Sequence, residues 1–556
     1  MHIQYAVARF FIKIIDNQSK LWMSKINGLT LLCIAIGLSN CADTLDRRSM
    51  LSKPARNLAI NKYNSYSNLF TDSTTVESFI KEQKLNDTIG YDMRVFYNAR
   101  NFQFAWFSSD GLTEQTFAFR SLYDYSNDNE KKRALDYKLD NLMLNDSLTS
   151  IRATRNITKT ELLFTWRFIQ YLWNNYPNEN LRNHLLVKFV PAQKQEITAR
   201  AEAMLRDDRK GSNNAYNSLK KELEKYVTIA NNGGWPVIPA RQKKFKRGDT
   251  DPVIAIIKKR LQITDQFPAN DTSSAFTPKF ENAIKRVQSS YGLTENGVIN
   301  ISLIQELNKP VLSRLQQLMI NMERMRWQPD EPSGRVIVVN IPEFMLHVWN
   351  GKSKELDMEV IVGKQGNNTV MFSGNLEQIV FSPYWNVPES IVRDEILPSM
   401  EEDYTYLDQH DMETTGEEDG LPVVRQLPGD NNELGKVKFL FPNSFNIYFH
   451  DTPHKELFKK KQRAYSHGCI RLENAEKLAT YLLKDNPEWT SEKIQEAMNG
   501  SKEKYVKIKD PIPVLINYYT AWVDENDVLQ FRNDIYNHDK KTARKLFSDA
   551  TAIARK

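Results

Sequence analysis

Apolar residues recur at helical spacing through Leu162-Leu163-Phe164-Thr165-Trp166-Arg167-Phe168-Ile169-Gln170-Tyr171-Leu172-Trp173, which predicts a helix whose aromatic stripe is core and not a ligand surface. The same period governs residues 76 to 240, a helical region that includes Val95-Phe96-Tyr97 and Phe102 to Phe107 and closes at Gly233-Gly234-Trp235-Pro236. Two more amphipathic runs, Val253 to Leu261 and Phe280 to Gln288, precede the turn signals Tyr291-Gly292 and Gly297. Farther on the period changes. Arg335-Val336-Ile337-Val338-Val339-Asn340 reads as a strand, and Phe445 to His450 reads as a strand ending in the turn before Pro453. Asn474 to Leu483 then forms an amphipathic helix. Helices first and strands after predict an α+β chain of several domains, as 556 residues at roughly 150 per domain also imply.

Polar stretches mark the joints. Residues 42–75 are rich in Ser, Asn and Thr and read as a tether, and Arg241 to Arg247 is a basic run that reads as a linker. Between Glu401 and Glu433 lies an insertion dense in carboxylates with one arginine, Arg425, expected as an acidic loop over whatever site the strands carry. Residues 512–556 read as a C-terminal extension without legible chemistry. At the N-terminus, Lys25 to Cys41 has a positive start, about ten apolar residues and a polar end, the pattern of a signal peptide. It is too short to span a bilayer, and no later stretch reaches 18 apolar residues. Met23 would serve as a more ordinary start than Met1.

The apolar share of 41% supports real cores, and a net charge of +6 from 75 basic and 69 acidic residues gives no reason to expect nucleic acid as a partner. Cysteine changes the picture more. There are three, and Cys33 and Cys41 lie in the leader, so Cys469 is the lone thiol of the body and cannot form an intrachain disulfide. It sits in Tyr465-Ser466-His467-Gly468-Cys469-Ile470-Arg471-Leu472, with His467 two residues before it and His450, beside Asp451, on the preceding strand. A thiol with imidazoles at hand is a nucleophile with its base. Tyr448 shares the His450 face by the two-residue repeat. Gly468 permits a positive φ or close approach, making the amides of Gly468 and Cys469 candidate oxyanion donors. A zinc site from His450, His454, His467 and Cys469 is the competing reading. Pro453 between the first two histidines opposes a zinc helix, and the spacings match no standard signature.

His450, a fifteen-residue spacer and Ser-His-Gly-Cys closely resemble the signature of the L,D-transpeptidases. Arg335 to Pro342, Val362-Gly363-Lys364 and Phe381 to Pro388 resemble companion segments of that family, and the flanking regions resemble its large multidomain members. The resemblance implies a helical scaffold domain at 76–240, a three-helix peptidoglycan-binding-like module at 241–310, and a β-rich sandwich catalytic domain at 311–511 with a lid insertion at 401–433. It implies that Cys469 is acylated and His450 is the general base, with His467 as a further catalytic residue. Arg471, where small members carry asparagine, implies with Ser466, Gly468 and Tyr448 a substrate-binding set in which the guanidinium holds a peptide carboxylate. No metal and no cofactor are implied. The partners implied are peptidoglycan stem peptides, and the product a cross-link between third residues; hydrolysis of the same acyl-enzyme, or wall binding without catalysis, are the alternatives. Leu38-Ser39-Asn40-Cys41 resembles a bacterial lipobox, with Asn40 in place of the usual glycine or alanine, which implies lipidation at Cys41 and a membrane-held protein on the periplasmic face.

Overall fold

The computed structural model describes residues 55–126, 133–145, 150–207, 214–239, 244–328 and 334–548; the leader and Cys41 lie outside them. The expected α+β composition is observed. Its helical part begins with α1 (Ser73–Glu82) and α2 (Asp87–Ala99), a short hairpin β1 (Phe107–Ser108) and β2 (Gly111–Leu112), then α3 (Glu114–Ser126), α4 (Ala134–Leu144), α5 (Arg155–Asn175) and α6 (Glu179–Lys188). The aromatic stripe is core as expected. Phe164 and Phe168 of α5 pack with Trp106, Phe119 and Trp327, all buried, with ring centroids 4.9–6.3 Å from Trp106. Such pairs add to the burial of large apolar areas. Glu161 on the same helix is fully buried, and its carboxylate accepts the Ala105 and Trp106 amides. Burial pushes its pKa up to about 7.

The tether ends earlier than expected. Ile60, Tyr66 and Ser67 are buried, and Ser65 bridges to Gln193, so the chain is packed on the scaffold well before residue 75. Next come α7 (Ile197–Arg206) and α8 (Asn214–Asn231), then α9 (Pro252–Ile263), α10 (Pro278–Ser290) and α11 (Ile301–Leu307). Asp251, Thr277 and Asn300 cap the last three by accepting backbone amides. The basic run before them is more than a linker, because Phe245 is buried and bridges Ile299. Helix α12 (Val311–Met325) packs on α7 and α8 and delivers the chain to the strands.

Strands β3 (Arg335–Asn340), β4 (Met345–Asn350), β5 (Ser353–Gly363), β6 (Phe372–Phe381), β10 (Val437–Leu440), β11 (Phe449–His450), β12 (Ala464–Ser466), β13 (Ile470–Leu472) and β14 (Lys504–Asn517) form one sheet in the order β12-β5-β13-β11-β10-β6-β14-β3-β4. Because β4 also bonds β5, the ladder closes on itself, a barrel-like arrangement in place of the expected sandwich. The boundary expected at 511 falls inside β14. That strand slips register between Lys507 and Ile512, beside Pro511 and Pro513, and then continues against β6 and β3. Before it in the chain come α13 (Ala475–Leu483) and α14 (Ser491–Met498), and after it β15 (Ala521–Val523), β16 (Leu529–Phe531) and α15 (His538–Leu546).

The acidic insertion is folded. A helical segment, Glu389–Ile391 and Leu397–Glu402 joined by a π turn at Val392–Ile396, leads through Tyr406–Gln409 to β8 (Met412–Glu418) and β9 (Leu421–Gln426); these strands pair with β7 (Trp385–Asn386). Val387, Ile391, Val392, Ile396, Met412 and Val424 form a small core. Many carboxylates still face solvent, but Met412 and Val424 of the insertion turn inward onto Val387, Ile391, Val392 and Ile396 of the segment before it, a core that the acidic composition concealed.

Candidate active site

Only Phe449 and His450 of the expected strand at 445–450 pair as β11, and Asn446 turns the backbone at φ +53° before them. The two-residue strand is enough. It lies parallel to β13 with Phe449 opposite Ile470 and His450 opposite Arg471, which brings Cys469 beside Tyr448. The link between β12 and β13 is the turn that carries Cys469. Ser466 Oγ donates to the Cys469 carbonyl at 2.5 Å and accepts the Gly468 amide at 3.2 Å, while Gly468 adopts φ +118°. A Cβ there would meet nothing nearer than 3.9 Å, so the backbone angle, not space, demands glycine.

Cys469, His450, Tyr448 and Arg471 line one cavity of about 1140 Å³, with Tyr384, Trp385, Glu395 and Glu433 from the insertion and its approach on the other side. Tyr406, His410 and Gln426 of the 401–433 insertion line the same cavity. Cys469 Sγ lies 3.4 Å from the Asn446 carbonyl. Burial pushes its thiol up to about 11, against the Tyr448 amide and hydroxyl and the Arg471 charge, which all favour the thiolate. Burial also drives His450 down to about 3, aided by the Arg471 guanidinium. His450 Nδ1 lies 2.6 Å from the Asp451 carbonyl oxygen. A carbonyl can only accept, so Nδ1 carries the proton and Nε2 is the basic nitrogen.

Several residues stand elsewhere than expected. It is the Asp451 carbonyl, not its carboxylate, that orients His450; the carboxylate accepts the Lys436 amide and Lys455 Nζ. His467 turns to the rim, where Nε2 meets Glu395 at 3.0 Å and Lys364 Nζ at 3.4 Å. The Ser466 hydroxyl and the Gly468 amide are engaged with each other inside the turn, which takes the first from substrate and the second from the oxyanion. Arg471 is held by Glu433 at 3.5 Å, and its buried Nε has no hydrogen-bond partner. His454 pairs with the same Glu433 at 2.9 Å. Among the described residues no three of His, Cys, Asp and Glu cluster as a metal-binding group. Sequence reasoning missed Thr369, Glu395 and Tyr536 and singled out Tyr384 only as part of the companion segment Phe381 to Pro388; the first three lie far from the motif in the chain, and no local spacing marks them.

Residues 334–490 match the family model described as L,D-transpeptidase catalytic domain, and residues 91–226 match that described as Scaffold domain. A Haemophilus influenzae protein named "Putative L,D-transpeptidase" is 33% identical over 242 residues, or 41% of this chain and 48% of that protein. The chain thus spans about half the length of the curated relative it matches. Among solved structures, the L,D-transpeptidase (residues 123–326) from Xylanimonas cellulosilytica aligns at 13% identity and a TM-score of 0.16, covering 50% of this chain and 99% of that one. The L,D-transpeptidase from Stackebrandtia nassauensis aligns at 14% identity and 0.21, covering 51% and 98%.

Proposed function

We propose that this chain, whose residues 334–490 match an L,D-transpeptidase catalytic domain and 91–226 a scaffold domain, is a multidomain L,D-transpeptidase that cross-links third residues of peptidoglycan stem peptides through an acylated Cys469. The observation that carries the reading is a lone thiol, in the turn leading into β13, and a tautomer-fixed imidazole on the neighbouring strand β11, both lining one cavity. With the thiol pushed up and the imidazole pushed down, both are neutral at rest. The nucleophile is then made during attack. His450 Nε2 takes the thiol proton as Sγ bonds to the amide carbonyl carbon of the third stem residue.

Collapse of the tetrahedral adduct breaks the C–N bond, and the imidazolium returns its proton to the departing D-alanine amine. A thioester remains. The amine of a second stem attacks it, gives a proton to His450, and expels the thiolate, which is reprotonated as the new amide forms. The Cys469 amide is the remaining donor of the turn for the oxyanion, since the Gly468 amide is taken. Arg471, which lines the cavity and meets Glu433 through Nη2, holds a substrate carboxylate in exchange for Glu433. Export and a lipid anchor at Cys41 place this chemistry on the periplasmic face of a membrane.

Incubating the full chain with a tetrapeptide stem and mapping Cys469 by mass spectrometry tests the reading. A tripeptide acyl adduct on Cys469, absent from Cys469→Ala, is expected, with a cross-linked dimer as product. Tripeptide without dimer would replace transfer by hydrolysis. Turnover by Cys469→Ala would overturn the nucleophile altogether.

A further inference from the structure

The turn carrying Cys469 is braced from the far end of the chain. Gly363, at the end of β5, lies next to Ser466 of β12, and Lys364 donates its amide to the Ser466 carbonyl at 2.8 Å. From here a path of four hydrogen bonds runs through buried groups. Tyr536 Oη donates to the Gly363 carbonyl at 2.6 Å and accepts the Thr369 amide at 3.3 Å. Thr369 Oγ1 accepts the Gly363 amide at 2.9 Å and donates to the Gly468 carbonyl at 2.8 Å. Each hydroxyl spends its one proton on a carbonyl and takes one amide, so both are satisfied. A Cβ at Gly363 would lie 2.0 Å from the Asn367 carbonyl oxygen, so the loop carrying Thr369 folds tightly over that glycine. Tyr536 is fixed in turn: its amide donates to Tyr518 Oη, which donates to Asp534, and the two rings stack with centroids 5.7 Å apart.

The last bond of the path bears on the nucleophile. The Gly468–Cys469 peptide is planar and trans, so its carbonyl and amide point in opposite directions. Holding the Gly468 carbonyl against Thr369 therefore fixes the direction of the Cys469 amide and the root of its side chain. We propose that Thr369 and Tyr536 are positioning residues for the transfer reaction, setting the Gly468–Cys469 peptide plane from a C-terminal segment that touches no substrate. The inference rests on Cys469 being the nucleophile. Without this brace the turn keeps the Ser466 bonds but can rotate the plane that carries the thiol.

Tyr536→Phe and Thr369→Val, made in the full chain, remove one hydroxyl each with little change in shape. Each is expected to lower kcat on a tetrapeptide stem by about 10- to 100-fold with KM within about 2-fold, the scale of a displaced reacting group. The double variant should be no worse than the poorer single one, and Thr369→Ser should recover most of the rate. Iodoacetamide alkylation of Cys469 supplies a readout independent of turnover. Its inflection near pH 11 should move down toward the ordinary thiol value as the loosened turn lets water in. Folded Tyr536→Phe or Thr369→Val with full kcat and an unmoved inflection would overturn the proposal. If Tyr536→Phe does not fold, the Thr369 pair decides alone. If the wild type turns over no tetrapeptide, the functional reading fails, and the alkylation profiles still decide whether the brace exists.

Discussion

His450 and Arg471 are register partners on β11 and β13, so a fixed guanidinium stands beside the imidazole proposed as base. That charge and burial together hold the ring unprotonated to about pH 3. Replacing Arg471 by Met removes the cation, so the His450 pKa rises. The acid limb of kcat/KM, which reports the base of the free enzyme, should move to higher pH. Loss of a charge-assisted carboxylate contact, worth ~1.5–3 kcal/mol, should also lower kcat/KM by roughly 10- to 100-fold. An unmoved acid limb would mean that Arg471 does not act on His450.

His450→Ala should cost ~10²–10⁴-fold in kcat, the range of a positioned base, whereas His467→Ala should cost far less. The order follows from placement: His450 is 4% exposed with its tautomer fixed, while His467 sits at the rim against Glu395 and Lys364. Single-turnover acylation rates distinguish the two, and an equal loss in both variants would make His467 a partner in proton transfer.

The buried imidazole also ties stability to pH. Its folded pKa, about 3, lies below the ordinary value of 6.5, so between these values the unfolded chain binds the proton and the folded one does not. Stability from this group is therefore complete above pH 6.5 and is lost as pH falls toward 3. His450→Gln lacks the group, so the wild-type Tm should drop more steeply than the variant's between pH 6.5 and 4. Parallel melting curves would show that His450 is protonated in the fold.

The motif was legible because its chemistry is local: His450, Cys469 and Arg471 lie within 22 positions of one another and meet through one strand pairing. What the sequence concealed is contributed from a distance. Tyr536 lies 167 positions from Thr369, in a segment whose pattern shows only aromatic residues and turns. That the Asp451 carbonyl and not its carboxylate meets His450 was equally hidden, because adjacency in sequence does not distinguish a side chain from the carbonyl next to it. The helical scaffold followed from its period, but closure of the sheet through β4 and β5 did not, since strand spacing carries no information on which edges meet.

At the other end of the chain, Cys41→Ser should release the protein from membranes while its body keeps activity. About ten apolar residues ending at a lipobox-like sequence cannot span a bilayer, and anchoring then depends on acyl chains, each buried CH₂ adding ~0.8 kcal/mol. Labelled fatty acid should enter the wild type and not the variant. Equal labelling of both would rule out Cys41 as the site.

The insertion over the cavity contains a small core, and this makes its loss separable from loss of the fold. Val424 is 1% exposed among five other apolar residues on the insertion side, away from the closed sheet. Val424→Asp buries a charge there, which such a core cannot accommodate. The insertion should open and become susceptible to limited proteolysis between residues 389 and 433. The global Tm should change by only a few degrees, because the sheet and scaffold share a different core. Opening also removes Glu395 from His467 and Glu433 from Arg471, along with the wall formed by Trp385. Turnover on a tetrapeptide stem should fall mainly through a higher KM, since the nucleophile and base lie on the intact strands. A large drop in Tm with normal KM would mean that the insertion supports the fold and takes no part in holding substrate.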